Sequence, residues 1–157
     1  MIGLTEWTNR RTNGANRQCY RRVKTVASHV RWLAGAGALF GLTAVAAGAF
    51  GAHALKTLLP PARITVFETA VRYQALHALA LFAAAWVLQT WPGRLALAAG
   101  ACLAAGTVLF CGSLYVLAVT SDPRVGLVTP VGGMGLLVGW TLLAIAIIRP
   151  AKPGNPR

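Results

Sequence analysis

Apolar residues run through this chain in long uninterrupted blocks rather than at the spacing of a soluble helix or strand. Four blocks stand out: about 32–55, 73–91, 95–119 and 125–148. A helix rises about 1.5 Å per residue and the hydrocarbon core of a bilayer is about 30 Å thick, so about 20 apolar residues suffice to cross it. Each block meets that length. Between the second and third lie only Trp91, Pro92, Gly93 and Arg94, and between the third and fourth Thr120 to Arg124. Connections this short force neighbouring spans to run antiparallel. The pattern predicts an all-α, integral membrane, up-down four-helix bundle. Trp32, Tyr73, Trp91 and Tyr115 fall near block ends, at the level where aromatic rings meet headgroups.

The segment between the first two blocks reads differently. Pro60-Pro61 cannot continue the first helix, and Pro61 suits the first position of the next. From Ala62 to Trp91 there is no Gly or Pro. Ile64, Phe67, Ala70 and Val71 recur at helical spacing, with Arg63, Glu68 and Arg72 elsewhere. A short amphipathic segment at the membrane surface is expected over 62–72, bent into or continuous with the second span. Pro130 frees a carbonyl one turn earlier; it reads as a harmless proline near the helix start, with a kink in the fourth span as the alternative.

Composition agrees with the blocks. Of 157 residues, 56% are hydrophobic and 11% charged, with a mean hydropathy of +0.59. Soluble domains carry roughly 25% charged residues. The net charge of +12 would suggest nucleic acid on a folded basic face. Here the cations sit in the N-terminal 31 residues and in the gaps between blocks, which is the pattern of membrane orientation. No nucleic-acid partner is expected. The partners expected are the lipid bilayer and a membrane protein, either another chain or a second copy.

Lys and Arg favour the cytoplasmic side. The N-terminal tail, Arg94 and the C-terminal tail place eleven on one side. Lys56, Arg63, Arg72 and Arg124 place four on the other. Both termini are therefore expected in the cytoplasm, with the N-terminal tail supplying the whole bias. Residues 1–31 show no hydrophobic periodicity and read as a disordered basic tail, and 149–157 as a second tail. The pairs Arg10-Arg11 and Arg21-Arg22 lack the neighbours of a twin-arginine signal. The first block is longer than a cleavable signal core, so it reads as an uncleaved span. An Arg-rich presequence and a mis-assigned start are the alternatives for the tail.

Small residues recur along the spans. Gly37, Gly41, Gly48 and Gly51 mark the first, and Gly132, Gly133, Gly135 and Gly139 the fourth. Lipid is as apolar as Leu, so close backbone approach at small residues holds spans together. These eight glycines are expected at helix contacts. Cys102 and Cys111 fall on opposite helix faces, and no spacing of ligands suggests a metal. No cofactor is expected.

Polar residues are expensive inside a membrane and therefore informative. They gather at one end of the bundle: His53, Glu68, Arg72, Tyr73, Gln74 and His77 on the first two spans, and Ser113, Tyr115 and Thr129 on the last two. Tyr73 and Gln74 lie one helical turn from His77. A shared polar pocket with His53 facing His77 is expected, able to bind a proton or cation or to staple the helices.

Several stretches together are similar to one family. They are Gly48-Ala-Phe-Gly-Ala-His-Ala-Leu55, Phe67 through Tyr73-Gln-Ala-Leu-His-Ala-Leu-Ala-Leu81, Leu109-Phe-Cys-Gly-Ser-Leu-Tyr115, Thr129-Pro-Val-Gly-Gly133 and Gly139-Trp140. In these the chain resembles the domain-of-unknown-function 423 family, also called UPF0382. The resemblance covers roughly 33–148. It implies a multi-pass protein of the bacterial plasma membrane and supplies no activity, substrate or catalytic residue. No nucleophile with a base and no phosphate loop is present. The sequence therefore points to a non-enzymatic scaffold or partner protein. A small proton or cation transporter and a His-ligated metal or haem protein are the alternatives. Against a four-span exporter, the first span holds no acidic residue.

Overall fold

The computed structural model describes the backbone of residues 3–149 and the side chains of residue 20 and residues 23–149. Five helices follow in order: α1 Gly3–His53, α2 Pro61–Thr90, α3 Arg94–Thr120, α4 Pro123–Gly126 and α5 Val128–Ile148. A single 3-10 turn, Leu55–Thr57, closes the end of α1. Among the described residues, four stretches are long and apolar enough to cross a membrane: Val23–Thr57, Pro61–Thr90, Arg94–Thr120 and Pro123–Ile148. The chain is a helical membrane bundle.

Two expected boundaries change. Residues 1–31 were expected as a disordered tail, yet α1 is helical from Gly3. No proline precedes Pro60, and extending an existing helix avoids the cost of nucleating one. Met1, Ile2 and residues 150–157 of the C-terminal tail lie outside the described residues. The second change is the start of the second span, expected near 73: the segment 62–72 is continuous with it, one of the two arrangements expected, and forms the first turns of α2. Pro60 is extended at φ −60, ψ 151, and Pro61 occupies the first helical turn. Without Gly or Pro before Pro92, the helix runs unbroken to Thr90.

Proline also explains the last break. Pro130 sits in the first turn of α5, where its missing N–H is no loss. Its ring crowds the carbonyl four residues back, which belongs to Gly126, the last residue of α4. The two helices part at Leu127. Upstream, α3 ends at Ser121 in the left-handed region, φ 61. Asp122 then caps α4 by accepting the Arg124 N–H at 2.9 Å.

Packing follows chain order. α1 lies on α2, α2 on α3 and α3 on α5, while among the described residues α1 and α5 do not approach one another. α2 and α3 thus form the middle of the bundle, and α1 is its outermost member. Leu33, Leu81 and Leu103 are fully buried where α1, α2 and α3 meet. Leu55, Phe67 and Ala118 form a second cluster at the far end. Leu42, Val45, Leu79, Trp86 and Leu137 point outward, as a lipid-facing surface requires.

The glycines divide by how closely a neighbour approaches. At Gly37 a Cβ would lie 2.9 Å from the Ala78 carbonyl, and at Gly51 2.9 Å from the Phe67 ring. At Gly132 it would strike the Phe110 backbone nitrogen, and at Gly139 it would come within 2.8 Å of Leu103. Gly135 faces Gly106 Cα at 3.3 Å. Gly41, Gly48 and Gly133 meet only ordinary contacts of 3.4–3.9 Å. Two close approaches fall on small residues of the third span: Gly100 against Leu33 at 2.6 Å and Gly106 against the Leu136 nitrogen at 2.8 Å.

Candidate functional site

The helix register sets the depth of every polar residue. Phe67 lies beside Gly51, Val71 beside Gly48, and Ala78 beside Gly37 and Gly41. On this ladder His53 is level with about residue 65 of α2. His77 lies some three turns deeper, about 16–18 Å along the axis. His53 is exposed at the end of α1, whereas His77 is 3% exposed. The shared His53–His77 pocket expected from sequence does not form. The expectation started the second span at Tyr73; the helix starts at Pro61, which sinks His77 into the bundle.

Gln74 is the centre of what does form. Its amide nitrogen donates to the Phe40 carbonyl at 3.0 Å and to Thr43 Oγ1 at 2.6 Å. Its amide oxygen accepts from the Tyr115 hydroxyl at 2.9 Å. Thr43 in turn donates to the Leu39 carbonyl at 2.8 Å. One α2 side chain therefore ties α1 to α3, and the chain of donors polarises each bond in the same sense. The Tyr115 ring also packs on Phe67 with centroids 4.9 Å apart.

His77 forms the second node. Its Nδ1 lies 2.7 Å from the Tyr73 carbonyl, which can only accept, so Nδ1 carries the proton. Nε2 is then free to accept the Trp140 indole N–H at 3.2 Å. A neutral imidazole of this one tautomer satisfies both contacts. The bond links α2 directly to α5. Tyr73 stacks on His77 at 6.0 Å and packs on Phe110 of α3 at 4.8 Å.

Ser113 and Thr129 make the third node, with hydroxyl oxygens 2.7 Å apart, joining α3 to α5. Ser113 also reaches the Phe110 carbonyl at 2.9 Å. Glu68 and Arg72 stand apart from all three. They pair with each other at 3.0 Å, with side chains 42% and 76% exposed. An exposed pair of this kind adds well under about 1 kcal/mol.

Of the nine candidates, the structure thus brings together Tyr73, Gln74, His77, Ser113, Tyr115 and Thr129, and leaves His53, Glu68 and Arg72 outside. Among the described residues, no group of three His, Cys, Asp or Glu converges, and no buried side-chain nitrogen or oxygen lacks a hydrogen-bond partner. Thr43 and Trp140 were missed. Both carried a signal: Thr43 is the one hydroxyl between Trp32 and His53, and an indole N–H in mid-span needs an acceptor. Trp140→Phe keeps the ring and removes that donor. It should lower stability in detergent by about 1 kcal/mol, the usual scale of a bond between membrane helices. A thermal melt of wild type against variant checks this.

Comparison with known proteins follows the same residues. The family described as protein of unknown function, DUF423, matches residues 47–133, the stretch that holds Gln74, His77, Ser113, Tyr115 and Thr129. The UPF0382 membrane protein YwdK of Bacillus subtilis is 40% identical over 114 residues, covering 72% of this chain and 93% of its own. The chain belongs to the DUF423 family. A further DUF423 relative, the UPF0382 inner membrane protein YgdD of Escherichia coli K12, is 39% identical over 117 residues, or 74% of this chain and 89% of that protein. The UPF0382 membrane protein SSP2132 of Staphylococcus saprophyticus is 40% identical over 119 residues. No solved structure matches the chain. This DUF423 member is a multi-pass membrane protein, and the names of its relatives state no activity.

Proposed function

We propose that this DUF423 protein is a non-enzymatic scaffold of the bacterial plasma membrane, with both termini in the cytoplasm, that acts by holding a membrane partner. One observation carries the reading: Gln74, His77 and Tyr115 direct their polar atoms at neighbouring helices. Buried polar groups arranged this way rigidify a bundle and fix its register. A transport path would instead keep donors or acceptors turned toward the passing ion. The plasma-membrane assignment draws on the inner-membrane relative in Escherichia coli. The orientation draws on the eleven cations of one side against four of the other.

The reading has three tests. A reporter active only outside the cytoplasm should be silent when fused after Arg157 and active when inserted near Leu59; the reverse would overturn the orientation. Purified protein in proteoliposomes should pass protons and monovalent cations no faster than protein-free vesicles. Crosslinking in native membranes should capture one constant partner. Flux above the protein-free level would replace the scaffold with a transporter.

A further inference from the structure

At the end of the bundle opposite the polar nodes, α1 passes beside the α2–α3 turn and leaves an open cleft of about 510 Å³. Val23, Val26, Ala27 and Val30 of α1 form one wall, and Pro92 closes the other side. The two polar side chains lining it are Arg31 and Gln89. We propose that this cleft binds one anionic phospholipid, its acyl chain along the valine wall and its phosphate on Arg31 and Gln89.

The depth of Arg31 is the first argument. Leu33 packs against Gly100, which places Arg31 level with about residue 98. That is about 6 Å below Arg94, where α3 begins. Arg31 therefore stands level with the first turns of α3, exposed beside the interface at the start of the apolar block. A guanidinium at that level attracts the anionic groups of the membrane surface.

Among the described residues, no acidic side chain lies nearby. The acidic side chains of the sequence are Glu6, Glu68 and Asp122. Glu68 pairs with Arg72, and Asp122 caps α4 at the opposite end of the bundle. Glu6 precedes Arg31 on the same helix by 25 positions, about 37 Å. The anion within reach of Arg31 is the lipid phosphate of the leaflet at this end. A guanidinium takes phosphate through paired hydrogen bonds, and the Gln89 amide adds a donor beside it.

The apolar wall is the second argument. A free phosphate or an acidic peptide would leave Val23, Val26, Ala27 and Val30 facing a polar ligand. A phospholipid meets both halves of the cleft at once. Lys24, on the same stretch of α1 with its ammonium 4.6 Å from the Tyr20 ring, adds positive charge above the cleft, which favours an anionic headgroup over a zwitterionic one.

Native mass spectrometry of the full-length protein in detergent, titrated with dioleoyl phosphatidylglycerol or dioleoyl phosphatidylcholine, tests this. The wild type should retain one phosphatidylglycerol in preference to phosphatidylcholine. Arg31→Gln should reduce that preference about 5-fold, the weight of one cation at an anionic membrane surface. Arg72→Gln, at the other end, should leave it unchanged. Ala27→Phe fills the cleft and should weaken retention of both lipids. Equal retention of the two lipids by the wild type would overturn the proposal, and that measurement needs no variant to fold. Unchanged selectivity in a folded Arg31→Gln, or a second copy of the chain held in place of lipid, would overturn it too.

Discussion

Gly132→Ala should be the most damaging single methyl addition in this protein. The new Cβ would meet the nitrogen and Cα of Phe110 and the carbonyl carbon of Leu109. All three are backbone atoms of α3, so no side chain can rotate away. α5 must retreat from α3 along the contact that also seats Gly106, Gly135 and Gly139. Overpacking of this kind costs about 1–3 kcal/mol. Here it should reach the upper end, because the Ser113–Thr129 bond at 2.7 Å is pulled apart with it. Gly35→Ala and Gly112→Ala are the contrast, since a Cβ at either finds open space. Both should be neutral or gain up to about 1 kcal/mol from the better helix former. Membrane accumulation and the melting midpoint in detergent report the difference. A Gly132→Ala protein that accumulates and melts like wild type would show that the backbones of α3 and α5 do not touch there.

Gln74→Leu should have the next largest effect. Leu keeps the volume and removes three hydrogen bonds between helices, those to Phe40, Thr43 and Tyr115. Bonds between membrane helices average about 0.6 kcal/mol with a maximum near 1.7, so a loss of about 2 kcal/mol is expected. The Tyr115 hydroxyl is left half-buried without its acceptor. Tyr115→Phe alone should therefore cost less, and adding it to Gln74→Leu should cost almost nothing further. Strict additivity of the two changes, measured as a double-mutant cycle, would show that the two side chains do not interact.

The four spans and their junctions were legible in the chain because block length and proline position directly reflect bilayer thickness and helix chemistry. The extents of α1 and α2 were not. Hydropathy marks where a helix meets lipid, while helix continuity depends on where Gly and Pro interrupt it. In α2 these diverge: the apolar block opens near Tyr73, but the helix opens at Pro61. That offset moved His77 several turns away from His53. The gathering of Gln74, His77, Ser113, Tyr115 and Thr129 at one end was legible from the price of polarity in lipid. Their partners were not, because a carbonyl such as that of Phe40 leaves no trace in residue type. The glycine pattern was half legible. Gly132 and Gly139 showed in the fourth span, while Gly100 and Gly106 take their meaning from Leu33 and Leu136, whose approach depends on the register between helices.

The separation of α1 from α5 bears on how the molecule is made. Every extensive contact joins one span to the next in the chain: α1 to α2, α2 to α3, α3 to α5. As the polypeptide enters the bilayer from its N-terminus, each hairpin can close as soon as its second arm is inserted. No loop spanning the whole chain must wait for the final helix, and sequence-local contacts of this kind are the ones that form fastest. The Gln74 bonds to α1 can form once two spans are in place, those to Tyr115 once three are, and Trp140 reaches His77 when the fourth arrives. The Gln74 node thus closes before the fourth span arrives, and the His77–Trp140 and Ser113–Thr129 nodes close together once α5 is in place.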